Sequence, residues 1–186
     1  MASSYSTDLK LELMVTGEKA GLWGDITNTN LNILQQAIAG YETVAANATT
    51  GATLTFTNGA ISNGKNAVVD ITGTITTSVN VVIPDGVEKN YIVKNSTSGA
   101  HQVVFKTTSG TGATFGTTDK GVKIVYSDGT NITDVFANQN QIGIFAFPQS
   151  DGTSGQAILT DGAGTLSFGA AGISTGKAIA MAMVFG

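Results

Sequence analysis

Cysteine and arginine are both absent from this sequence, histidine occurs once and proline twice. Without cysteine there is no disulfide framework, no thiolate nucleophile and no thiolate metal site, which fits synthesis in a reducing cytosol. The basic residues are 9 lysines against 13 carboxylates, for a net charge of −4. Arginine is the usual fork for phosphate and guanine, so its absence, with the negative balance, argues against nucleic acid as a partner. Charged residues make up only 12% of the chain, about half the usual quarter. The longest apolar run, residues 178–185, falls far short of the ~20 residues of a spanning helix, so membrane insertion is not expected. The first residues lack a basic start followed by a continuous apolar stretch, so no secretory signal is expected.

What the chain does have is glycine (24 residues), threonine and β-branched apolar residues, with 41% hydrophobic residues overall. That fraction is enough for a core. The expected fold is mainly β: an antiparallel sandwich or small barrel with one N-terminal helix and an extended C-terminal arm. Three regions are expected: a strand–loop–helix docking region over 1–42, a β body over 43–137, and a Gly/Thr/Ser-rich linker with an apolar strand over 138–186.

Leu9, Leu11, Leu13 and Val15 alternate with Lys10, Glu12 and Met14, which predicts a strand with one buried face. Gly17, Gly21 and Gly24 then break the pattern around Trp23, the single tryptophan. A helix follows, with Asp25 or Thr27 as candidate cap, Leu31, Leu34, Ala37 and Ile38 on one face, and Gly40 at its end. Strands are predicted over 52–57, 67–72, 79–83, 91–95, 102–107, 122–127 and 131–136. Asn58-Gly59, Asn63-Gly64, Asp85-Gly86 and Asp128-Gly129 supply the turns, and 122–135 reads as a hairpin. Residues 150–168 scatter single apolar residues among turn formers and cannot build a core alone. Residues 176–186 alternate alanine with Ile179, Met181, Met183 and Phe185, the pattern of a strand with one crowded face. Such an uncharged strand is an aggregation hazard unless it is covered, either by its own sheet or by another subunit.

Nothing in the sequence marks an enzyme. His101 has no recognisable nucleophile or orienting carboxylate, and one histidine without cysteine makes a poor zinc site. Residues 172–177 lack both the first glycine and the Ser/Thr of a phosphate loop, and 110–116 miss a dinucleotide fingerprint by one position. Asp85, Asp128, Asp151 and Asp161 each precede glycine and read as turn residues, without the alternate spacing of a calcium loop. No catalytic residue, cofactor or metal is assigned. The residues set apart are interface candidates: Trp23, Leu31, Leu34, Ile38, Ile179, Met181, Met183 and Phe185. Trp23 reads either as a partner anchor or as a plug between helix and sheet.

The block over 11–40 resembles the opening of tail-fibre-like and structural proteins of tailed bacteriophages, particularly marine ones. Thr16, Gly17, Glu18, Ala20, Gly21, Trp23 and Gly24 match, followed by Asn28, Thr29, Asn30 and Leu31. Val93-Lys94-Asn95, residues 127–131, 150–168 and the tail 176–186 are similar to segments of the same group. The resemblance implies a non-enzymatic virion component, made in the cytoplasm of an infected bacterium and most simply a short tail fibre. Its partners would be copies of itself, as a homotrimer, and other tail or capsid proteins. A capsid decoration protein is the alternative position. A module that binds or depolymerises a host surface glycan is the reading from a different class.

Overall fold

A computed structural model describes residues 3–137, 141–142, 145–148, 150–172 and 183–184. The chain forms two compact units, 1–137 and 138–186.

The first unit opens with a short antiparallel pair, β1 (Ser4–Tyr5) and β2 (Glu12–Leu13). The longer strand expected from Leu9 to Val15 is cut short because Lys10 takes a left-handed conformation (φ 55°), which turns the chain between them. Helix α1 spans Trp23–Ala39. It starts earlier than Asp25 or Thr27: Leu22 is the capping residue, without a side-chain hydrogen bond, and Trp23 lies in the first turn rather than in a loop. Gly40 ends the helix as expected, but the reason is space and not a left-handed φ. Its φ is −71°, and a Cβ there would stand 2.2 Å from Asn66 Oδ1 and 2.4 Å from Gln36 O.

The body is mainly β, built as two sheets around one core. After α1 the chain alternates between them: β3 (Tyr41–Ala45), β4 (Ala52–Thr53), β5 (Val68–Thr72), β6 (Val79–Ile83), β7 (Glu88–Asn95) and β8 (Val103–Thr107). Strands β9 (Gly112–Phe115), β10 (Val122–Asp128) and β11 (Ile132–Asp134) complete the unit. One sheet is five-stranded in the order β11-β10-β7-β5-β3, the other four-stranded in the order β4-β6-β8-β9.

Pairing is not antiparallel throughout, as the alternation had suggested. β3–β5, β5–β7, β4–β6 and β6–β8 are parallel, and only the later strands β9, β10 and β11 return antiparallel. The chain therefore winds in coils, one strand per sheet per coil; Tyr41 lies beside Val68 and Ala52 beside Val81 in the first stacking, and in the next Val68 lies beside Ile92 and Val79 beside Val103, both 24 residues on. Lys94 Nζ meets Asp70 Oδ2 (3.3 Å), Ser98 Oγ donates to Thr74 Oγ1 (2.8 Å), Gln102 N donates to Ser78 Oγ (3.3 Å), and Ser109 N donates to Asp85 Oδ1 (3.0 Å), each across that same interval. At that offset Val69 stacks on Val93 and Val81 on Phe105 in the core, and Asp70 lies beside Lys94.

Strand alternation sends Val69, Ile71, Tyr91, Val93 and Val125 inward from the five-stranded sheet, against Val81, Ile83, Val103, Phe105 and Phe115 of the other. The Tyr91 and Phe105 rings meet edge to face across the sheets, with centroids 5.3 Å apart. Tyr91 donates its buried hydroxyl to Gly64 O (2.9 Å), in a 3₁₀ turn over Asn63–Lys65. The Asn63-Gly64 pair is part of this turn rather than of a hairpin. Lys65, fully buried in the turn, donates to Thr57 O and Ala60 O (both 2.6 Å) and ties down the loop that follows β4. The predicted strand over 52–57 is shortened accordingly.

In the second unit, β12 (Gln141–Ile142) pairs with β13 (Phe145–Ala146), and β14 (Gln156–Thr160) pairs with β15 (Leu166–Ala170). Asp161 closes the β14–β15 turn by accepting from the N–H groups of Ala163 (2.8 Å) and Thr165 (3.0 Å). No apolar side chain of this unit is fully buried among the described residues, in keeping with a segment too sparse to form a core.

Candidate functional site

The site is the N-terminal helix, whose placement follows from a few polar contacts. Asn30 Oδ1 accepts from Glu12 N (3.0 Å) and its Nδ2 donates to Glu12 O (2.9 Å), so one side-chain amide continues the edge of β2 onto the helix. Farther along, Gln36 O accepts from Gly40 N (2.9 Å) and Ala67 N (3.2 Å), while Gln36 Oε1 accepts from Ser62 N (3.3 Å). Ile33, fully buried, sits between these two anchors. Asn30, Ile33 and Gln36, three residues apart, define the inner face. Lys19 adds an ion pair to Glu12 (3.1 Å). Hydrogen bonds from Ser3 and Lys19 hold the Glu12 carboxyl below its usual range, and Glu12 raises Lys19 in turn.

The face that the periodicity groups, through Leu31, Leu34 and Ile38, the three interface candidates of the helix, lies away from this inner face. Leu31, Leu34 and Ile38 are exposed, Ile38 at 79%, and so is Trp23 at 65%. At ~100° per residue Trp23, Leu31, Leu34 and Ile38 fall within a ~80° arc, so they form a single apolar stripe on the outside of the helix. Asp25 is the helix's one charged residue, which leaves the stripe without a charged flank. The signal that sequence reasoning missed was a second, narrower face through Ile26 and Ile33, flanked by the amides of Asn30 and Gln36.

Of the C-terminal candidates, Ile179, Met181 and Phe185 lie outside the described residues. Met183 is described: it and Val184 are exposed and have helical backbone, not the extended backbone expected of that tail.

The first unit has several clefts, two of them beside α1 or at the sheet edges. One of 280 Å³ runs beside the helix C-terminus, with Gln35, Gln36, Tyr41, Ile61 and Asn66 in its wall. The other, of 580 Å³, opens at the free edges of β3 and β4, with Glu42, Asn47, Gly51, Thr53 and Asn63 around it; Glu42 is its one ionisable residue. Neither joins a nucleophile to a base.

Of the aspartates before glycine, Asp85, Asp128 and Asp161 accept hydrogen bonds from loop residues. Asp85 accepts from the backbone N–H of Ser109 and, at 2.9 Å, from its hydroxyl; these bonds hold its carboxyl below the usual range. Asp128 accepts from Asn131 N (2.6 Å) and Thr130 N (2.8 Å), which lower it likewise. Residues 112–115 of the glycine-rich segment form β9 and precede no helix. Among the described residues no cluster of three or more His, Cys, Asp or Glu side chains could hold a metal.

Comparison with protein-family models, with curated proteins and with solved structures finds no match in any of the three.

Proposed function

We propose that this protein is a structural component of a tailed-phage virion, a short tail fibre or fibre-like tail protein that works by oligomeric assembly and docking. The observation that carries the reading is the exposed stripe of Trp23, Leu31, Leu34 and Ile38 on a helix anchored through its other face. An apolar stripe held rigidly and left open to water is a contact surface awaiting a partner. The stripe also falls inside residues 11–40, the block with the closest sequence likeness to phage fibre-like proteins. On this reading α1 docks onto the particle, and the coiled β body forms the shaft or head of the component.

Gold-labelled antibody imaging of intact particles from the source phage tests the proposal. Label at the tail is the expected result. Label over the head would make this a capsid decoration protein, and no label on any accessible surface would overturn the virion reading. Retention on host polysaccharide, or release of reducing ends from it, would instead favour a glycan-directed module.

A further inference from the structure

The stack of coils is closed at one end and open at the other. At the closed end Ile132 N donates to Thr111 O (3.0 Å) and Asn131 Oδ1 accepts from Thr111 N (2.8 Å), so the last strands of the two sheets are bridged. At the open end β3 and β4 are edge strands, each paired on one side only. Gly40 O accepts from Val68 N (2.9 Å) and Ala46 N donates to Thr72 O (2.8 Å), so the even-numbered residues of β3 turn their main-chain groups to β5. Those of Tyr41, Thr43 and Ala45 therefore point the other way, to the open edge.

Part of that end is already capped. Thr55, just past β4, donates its N–H to Asn63 Oδ1 (2.7 Å) and accepts from Gly64 N (3.1 Å), so the Asn63-Gly64 turn stands in for a neighbouring strand. Among the described residues nothing does the same for Thr43 or Ala45. Beside them lies the 580 Å³ cleft, walled by Val44, Ala46, Gly51 and Ala52, with Glu42 as its one ionisable group. Glu42 accepts from Asn66 Nδ2 (3.1 Å) and has no ion pair among the described residues. An open edge of this kind, without lysine or proline to block it, takes up an extended peptide through main-chain hydrogen bonds.

Side chains set what that peptide must be. Val44 and Ala46 are buried, and by strand alternation Glu42 shares their side. A strand that continues the parallel order needs a basic residue beside Glu42 and apolar ones beside Val44 and Ala46. Residues 177–181, Lys-Ala-Ile-Ala-Met, carry that sequence; they lie outside the described residues, and Lys177 is the one charged side chain of 176–186.

We propose that the open edge of β3 accepts residues 177–181 of a second copy, which add as a parallel strand with Lys177 beside Glu42, Ile179 beside Val44 and Met181 beside Ala46. The inference deepens the assembly reading and rests on it. Each copy gives one strand and receives one, a head-to-tail contact of the kind that closes into rings. The same contact covers an apolar segment that is an aggregation hazard when left open.

A chain without cysteine makes disulfide trapping specific. In the proposed register Ala178 lies beside Thr43, within the ~4.4–6.8 Å Cα separation that a disulfide needs. Full-length Thr43→Cys and Ala178→Cys chains, purified apart, mixed and mildly oxidised, are expected to give a mixed disulfide, identified by peptide mass spectrometry. Ala178→Cys mixed with Leu31→Cys, exposed on the helix, is the control and should give little. In sedimentation velocity Lys177→Glu and Glu42→Lys should each weaken association roughly tenfold, and both together in one chain should restore it. The disulfide trap leaves Glu42 and its bond to Asn66 in place, so it decides the matter even where Glu42→Lys does not fold. No mixed disulfide above the control would overturn the proposal, as would a disulfide formed only within monomers of a Thr43→Cys/Ala178→Cys chain. Charge reversals that leave association unchanged, or a double reversal no better than the singles, would do the same. A protein that labels at the tail yet gives no trapped pair fails this inference alone.

Discussion

The contact between Tyr91 and Phe105 tests whether the two sheets share one core. These residues lie in β7 and β8, on different sheets, and their rings meet at 5.3 Å and 73°. Phe105→Leu keeps most of the volume and should cost about 1–1.5 kcal/mol. Tyr91→Leu should cost more, because it also strands the buried Gly64 carbonyl, which adds about 1–3 kcal/mol. The edge-to-face contact itself is worth about 0.5–1.5 kcal/mol beyond area burial. Once either ring is gone the contact is gone, so the double variant should be less destabilised than the sum of the singles by that amount. Urea unfolding followed by far-UV circular dichroism gives all four free energies. Additivity within about 0.3 kcal/mol would refute sheet-on-sheet packing at this point, because residues without contact do not couple.

Other consequences are as direct. Gly51 has φ +80° and a Cβ there would stand 1.9 Å from Asn80 O, so Gly51→Ala should cost at least ~2 kcal/mol, read as a lower urea midpoint. Asn30→Ala should cost about 1–2 kcal/mol and speed hydrogen exchange at Glu12 N, while unchanged exchange would deny the helix–hairpin tie. Burial pulls the ammonium groups of Lys65 and Lys89 down to about 8 from an ordinary 10.5. Between those values the unfolded chain binds more protons, so stability should rise with pH from about 8 to 10.5 and fall away as pH drops through 8. Unfolding midpoints measured from pH 7 to 10 check this, and Lys65→Met should flatten the rise. Below pH 4 the trend comes from the carboxylates. Burial raises Asp134, but a 2.8 Å hydrogen bond from Lys123 outweighs it and holds the carboxyl low, so Asp134→Asn should lose stability at pH 7 and lose less at pH 2.

Local chemistry carried much of the fold. β6 coincides with its predicted range over 79–83, and β8 and β10 differ from theirs by a residue, because the alternation of β-branched with polar residues is strong there. The hairpin at Asp128-Gly129 was legible because its turn is closed by an aspartate and a glycine at φ +85°. β3 was missed: Tyr41–Ala45 is short and its pattern ambiguous until β5 pairs with it. The helix was legible and its inner face was not. Periodicity groups Leu31, Leu34 and Ile38, whereas the inner face is set by the side-chain amides of Asn30 and Gln36, bonded to Glu12 and Ser62, and by the Gln36 main-chain carbonyl, which accepts from Ala67 N. Amides read as polar surface in any sequence, since their partners lie elsewhere in the chain.

By itself, then, the sequence determined a mainly β chain with one helix, its turns, and the poverty of charge. Those are properties of neighbouring residues, set by backbone conformation and side-chain type. The tertiary structure alone decided that the strands run in parallel coils between two sheets, that the helix turns its richest apolar face to water, and that Tyr41, Ile92, Ile124 and Val135 line up on one surface. Each of these depends on contacts between separate elements, such as Asn30 with Glu12 and Tyr41 with Val68, and no local preference encodes which strand will lie beside which.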